Sequence, residues 1–163
     1  MAFAPPPPSY TTRMPRVFLI DTDTASDDAV ALIMALRTPG VHVAAITIVA
    51  GNVPLDQATR NALYTAELCN SDVPIFPGAT RPLIRPYQHA QWFHGNDGLG
   101  DQGYPPPRSR PEPRPAVDAT PPSGDVSARS FESLAGIGLR NEFTTETERN
   151  LRFKHFILVP FSL

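Results

Sequence analysis

The chain has few of the residues on which small disulfide-bonded or metal-clustered proteins depend: one cysteine, Cys69, stands among 163 residues. A lone thiol excludes an internal disulfide and a Cys-rich metal cluster, and it fits a reducing compartment. Lysine is almost missing, Lys154 being the only one, and 14 Lys+Arg against 16 Asp+Glu leave a net charge of −2. That balance gives no basic footprint for nucleic acid and no polybasic patch for a membrane. Long apolar runs are absent too. The longest stretch without Asp, Glu, Lys or Arg, Thr38 to Leu55, is broken by Pro39, Gly40, Gly51, Asn52 and Pro54, which excludes a spanning helix. Met1 to Tyr10 has neither the positive start nor the apolar segment of a secretory signal. A soluble, cytoplasmic protein is expected.

What is abundant is apolar content and proline. Hydrophobic residues make up 41% of the chain, enough for a core, and 20 prolines exceed the usual share of about 5%. They concentrate in two places. The first, residues 1–15, reads as a disordered, polyproline-biased tail. The second, the Pro/Arg segment at 104–115, reads as a mobile surface insertion.

Between these stretches the pattern alternates. Val17 to Ile20 is a short apolar run suited to a strand buried on both faces. Asp27 is expected to cap a helix over Asp28 to Arg37, where Val30, Ile33, Met34 and Arg37 recur at helical spacing. Val41 to Val49 is β-branched and reads as a second strand, Leu55 to Cys69 as a second helix behind Pro54, and Val73 to Phe76 as a third strand. Strand and helix alternating at these lengths predict an α/β fold, Rossmann-like, with a mostly parallel sheet flanked by helices. This domain spans 16–120. Beyond it the pattern weakens, with a helix expected over 127–141 and a strand over 153–161.

The strongest chemical signal is the run Asp21-Thr22-Asp23-Thr24-Ala25-Ser26-Asp27-Asp28, four carboxylates in eight residues directly after the first strand. In open parallel sheets, sites form beyond the carboxyl ends of strands. Asp21 and Asp23 occupy the first such end, Gly51-Asn52 the second and Gly78 the third. Carboxylates this crowded repel one another unless a cation lies among them. With oxygen donors only, a hard ion is favoured, Ca²⁺ or Mg²⁺.

The segments LIDTDTASDDAVALIMAL, AITIVAGN, TRNA (Thr59 to Ala62) and HGNDGLG (His94 to Gly100) together resemble the N-terminal half of the inosine/uridine-preferring nucleoside hydrolase family. The resemblance covers about Arg16 to Asp118 and leaves 121–163 unmatched, so an incomplete sheet is expected. It implies cleavage of the N-glycosidic bond of a small-molecule ribonucleoside. By the same resemblance Asp23 binds Ca²⁺ and is the general base toward water, Asp28 is the bidentate metal ligand, Asp27 and Asn52 hold ribose hydroxyls, His94 lines the nucleobase side, and Asp21 supports the loop from behind. A homo-oligomer is left open.

Two other readings use the same residues. An apolar strand ending in DxDxT opens haloacid-dehalogenase-like phosphatases, in which Asp21 would be the nucleophile and Mg²⁺ the cofactor. Ala25 stands where that family has Thr or Val, and Lys154 is the only lysine to hold a phosphate. The second alternative is a non-catalytic fragment that keeps the acidic loop without completing a pocket. Asp97 and Asp101 are expected to hold their own glycine-rich loop together, and Cys69 to be a buried small hydrophobe.

Overall fold

The computed structural model describes residues 16–119 and 157–161. The proline-rich tail 1–15 and the helix expected over 127–141 lie outside the described residues.

Five elements alternate as expected: β1 (Arg16–Thr22), α1 (Ser26–Arg37), β2 (Val41–Ile48), α2 (Leu55–Leu68) and β3 (Ile75–Pro77). A one-turn helix, α3 (Gln91–His94), a 3-10 turn over Ala116–Asp118 and a strand, β4 (Ile157–Phe161), follow. The sheet order is β3-β2-β1-β4. β1, β2 and β3 run parallel, with Ile20 level with Ile46 and Ile46 level with Ile75, and β4 joins β1 antiparallel.

The pleat divides the core in two. Phe18 and Ile20 of β1 face the same side as Val43, Ile46 and Ile48 of β2, and onto them pack Leu32 of α1 and Leu55, Ala58, Ala62, Leu63 and Ala66 of α2. On the opposite face Leu19, Ala45 and Phe76 form a smaller cluster with Ala116 and Ala119. The small residues of α2 let it lie close to the sheet, and at roughly 25 cal/mol per Å² this apolar burial is the main term holding the unit together. Cys69 is buried without a disulfide, as a small apolar side chain at the end of α2.

Two local expectations need correction. Asp27 is not the helix cap: α1 begins two residues earlier, with Ala25 at the capping position, and the Asp28 carboxylate accepts the Ala25 amide at 3.0 Å. An acid three residues into the helix thus satisfies the cap amide from within, which frees Asp27 to project outward.

The Pro/Arg segment is not a loose excursion. Glu67 at the end of α2 accepts the amides of Arg108 and Ser109, each at 2.7 Å, and the Ser109 hydroxyl. These donors hold the Glu67 carboxyl below its ordinary range. Glu112 then donates its amide to the Ile75 carbonyl of β3 at 2.8 Å, and the Arg114 guanidinium lies 5.4 Å from the centre of the Phe76 ring. Proline removes donors and fixes φ, so a few remaining amides and one carboxylate suffice to fasten the segment.

The rim at the carboxyl ends of the strands is stitched by backbone. The Val49 amide donates to Thr22 O (3.1 Å), Gly78 to Ile48 O (2.7 Å) and Ala50 to Ala79 O (2.9 Å), so the loops after β1, β2 and β3 are held side by side.

Candidate functional site at the strand rim

Asp23 leaves the end of β1 and is 2% exposed. Its Oδ2 accepts the Asn52 amide at 2.7 Å, which ties the acidic loop to the turn after β2. Gly51 makes this approach feasible, because a Cβ built there would overlap the carboxylate, falling 2.6 Å from Asp23 Cγ. Asn52 also points its side-chain amide at Asp28 Oδ2, 3.4 Å away. Asp23, Asp28 and Asn52, separate in sequence, therefore form one polar cluster.

Burial dominates the electrostatics. Removal from water pushes the Asp28 carboxyl up to about 6, and the charges of Asp23 and Asp27 push in the same direction, against the Ala25 amide and the Thr22 hydroxyl. A raised carboxyl stabilises the fold while protonated: its contribution is full below about pH 4 and is lost as the pH rises through about 6. In chelator-containing buffer, thermal stability is expected to fall across that interval by on the order of 2 kcal/mol. Asp28→Asn should abolish most of that fall, and melting curves at several pH values for both proteins check it.

Asp21 belongs to β1 itself, whereas Asp23 lies one residue beyond its end. Its carboxylate accepts the Thr47 hydroxyl of β2 at 2.6 Å. That contact ties the carboxyl ends of β1 and β2 together.

His94 ends α3 and is 7% exposed. Its Nδ1 lies 2.9 Å from the Ser26 hydroxyl and 3.9 Å from the half-exposed Asp27 carboxylate, so the imidazole is oriented by the first turn of α1. Behind it, Asp97 and Asp101 knit the glycine-rich loop: Asp97 Oδ1 accepts Leu99 N at 2.7 Å and Asp101 N at 2.9 Å, and Asp101 Oδ1 accepts Asp97 N at 3.1 Å.

Two residues escape sequence reasoning. Asn61, inside the TRNA segment of α2, donates to Thr24 O at 3.0 Å and to Asp97 O at 2.8 Å, joining the acidic loop to the histidine loop. A polar residue in the buried stripe of a helix was the available signal. The other is Tyr87, whose phenol is pushed up by burial and by the charge of Asp23. Nothing in its Pro/Arg surroundings marks it.

Asp23 and Asp28 are hard oxygen donors, and Asn52 adds a side-chain oxygen. Among the described residues no group of three or more His, Cys, Asp or Glu side chains could hold a metal ion. The pair nevertheless fits a cation in its chemistry. Two buried acids share a rim where one is pushed toward its neutral form, a conflict that a bound cation relieves.

Comparison with known proteins gives a consistent picture. A family model described as inosine-uridine preferring nucleoside hydrolase matches residues 18–138, extending past Asp118. The chain is 40% identical over 101 residues to a non-specific ribonucleoside hydrolase, RihC, of Salmonella paratyphi B, a match covering 62% of this chain and 33% of that protein. Among solved structures, a plant nucleoside hydrolase shares 36% identity with a TM-score of 0.59, covering 64% of this chain and 34% of the other. A purine-preferring ribonucleoside hydrolase from Gardnerella vaginalis shares 30% identity with a TM-score of 0.58, over 63% and 34% of the respective chains. The chain thus spans about a third of the length of the curated relatives it matches.

Proposed function

Since the chain belongs to the inosine-uridine preferring nucleoside hydrolase family, we propose that its acidic rim is the water-activating and sugar-binding part of a site that hydrolyses the N-glycosidic bond of ribonucleosides. Family membership weighs against the phosphatase alternative. The observation that carries the reading is the meeting of Asp23 and Asp28 through Asn52 at the strand rim, beside a glycine that a side chain could not replace without displacing Asp23.

Each residue has a task in this reading. Asp23 accepts the proton of the attacking water, as a general base held at fixed geometry by the Asn52 amide. Asp28 and Asp23 hold a hard divalent cation, Ca²⁺ with Mg²⁺ as the alternative. When bound, the cation supplies Lewis acidity and a grip on sugar hydroxyls. Asp27, projecting from the first turn of α1, accepts ribose hydroxyls, and the Asn52 side chain adds a directional contact. His94, fixed through Ser26, lines the nucleobase side. Separation of the base from the sugar passes through an oxocarbenium-like transition state of the kind glycosidases use, so anionic groups beneath the ribose favour the positive charge that develops there.

Among the described residues no helix is long and apolar enough to cross a membrane. A cytoplasmic location is part of the same proposal. The test is release of free base from inosine and from uridine, followed with added Ca²⁺ and with chelator. Cation-dependent release of either base is the expected result. Saturating Ca²⁺ with no release from either nucleoside would overturn the reading in favour of a non-catalytic chain.

A further inference from the structure

The segment after β3 leaves the strand rim and returns to it. Ala79 accepts the Ala50 amide at 2.9 Å, and Ala90 donates its own amide to Asn52 O at 2.8 Å. Both ends are therefore fastened to the turn that holds Asp23. Between them the chain stands in water: Leu83 is 86% and Ile84 95% exposed, and of residues 79–89 only Tyr87 is not exposed. Tyr87 turns inward, near enough to Asp23 to feel its charge.

Its hydroxyl oxygen is buried and has no hydrogen-bond partner among the described residues. Leaving a polar group dry and unpaired costs about 1–3 kcal/mol. A phenol on an otherwise solvated excursion could avoid that cost by rotating outward. Instead it is held buried, on a segment whose end is anchored to Asn52, the residue that carries the Asp23 contact.

We propose that the Tyr87 hydroxyl is a substrate-positioning group that donates a hydrogen bond to a sugar hydroxyl of the ribonucleoside bound at Asp23. The proposal rests on the functional reading above only for the class of ligand. A neutral sugar hydroxyl suits the place chemically: it can donate to the carboxylate and accept from the phenol at once. A ligand hydroxyl between the two groups would satisfy a donor that the free protein leaves dry.

Tyr87→Phe keeps the ring and removes the donor. With Ca²⁺ present, inosine and uridine are titrated calorimetrically into both proteins, and base release is measured alongside. The expected result is Kd and KM raised about tenfold by Tyr87→Phe for both nucleosides, with kcat within about twofold. Of the 2′-, 3′- and 5′-deoxynucleosides, the one lacking the engaged hydroxyl should bind both proteins alike. The melting temperature of the ligand-free variant should equal or exceed that of the wild type, because an unpaired buried group has been removed.

Equal nucleoside affinity in both proteins overturns the proposal even if base is released, and so does a wild type that binds no nucleoside. Tenfold weaker binding by the variant in a protein that releases no base upholds Tyr87 while the hydrolytic reading falls. Equal weakening for all three deoxynucleosides and for the parent ribonucleosides assigns the effect to structure and also overturns it.

Discussion

Replacing Gly51 by alanine is expected to weaken Ca²⁺ binding by at least tenfold and to lower base release by about a hundredfold. The cause is steric and local. The new Cβ would overlap Asp23 Oδ2 and fall 2.6 and 2.7 Å from Asp23 Cγ and Cβ, separations that real Cβ atoms do not keep. Asp23 cannot retreat, because it is 2% exposed and its Oδ2 is held by the Asn52 amide, one residue along from the substitution. Either the turn after β2 moves outward or the carboxylate turns away, and both separate Asp23 from Asp28. Misplacing a reacting group by about 1 Å costs on the order of 10² in rate, and crowding a packed interior costs about 1–3 kcal/mol of stability. Calorimetric Ca²⁺ titration, melting curves and the inosine assay report the three effects. A Gly51→Ala protein with unchanged Ca²⁺ affinity would show that Asp23 is not part of the cation site.

Asn61→Ala should be nearly as damaging, though it removes no group from the rim. Asn61 is 3% exposed and its amide donates to two backbone carbonyls from different loops, Thr24 O and Asp97 O, while its oxygen accepts from Gln57 Nε2 at 2.9 Å. Alanine leaves both carbonyls without this donor, one of them on a wholly buried residue, and opens a gap facing Gly98. The expected loss is about 2–4 kcal/mol, read as a fall in Tm of roughly 5–15 °C. Because the acidic loop and the histidine loop are joined through this side chain, KM for inosine should rise along with the loss of stability. A Tm within a degree of the wild type would mean that the loops hold their places without it.

The sequence shows the order β1-α1-β2-α2-β3 plainly, since each element carries its own period and each boundary its own breaker, such as Pro39-Gly40 or Pro54. The convergence of Asp23 with Gly51-Asn52 could be anticipated for the same reason: parallel strands put alternate loops at one end. Three features could not be read there, each because a tertiary contact decided it. The start of α1 moved to Ser26 because the Asp28 carboxylate reaches back to Ala25. The Pro/Arg segment looks like an insertion by composition, yet three donors on Glu67 and one amide on Ile75 hold it down. Tyr87 sits in an exposed, irregular segment with no periodicity, so only the fold reveals that it alone turns inward.

The fastened proline segment also bears on how this protein meets copies of itself. Glu112 takes up the outward Ile75 carbonyl of β3, and Pro111, Pro113 and Pro115 around it carry no amide hydrogen to offer a newcomer. A strand from another molecule therefore finds neither a free acceptor at Ile75 nor a regular row of donors beside it. The outer margin of β3 is thereby blunted against sheet-to-sheet growth, the route by which bare strands seed fibrils.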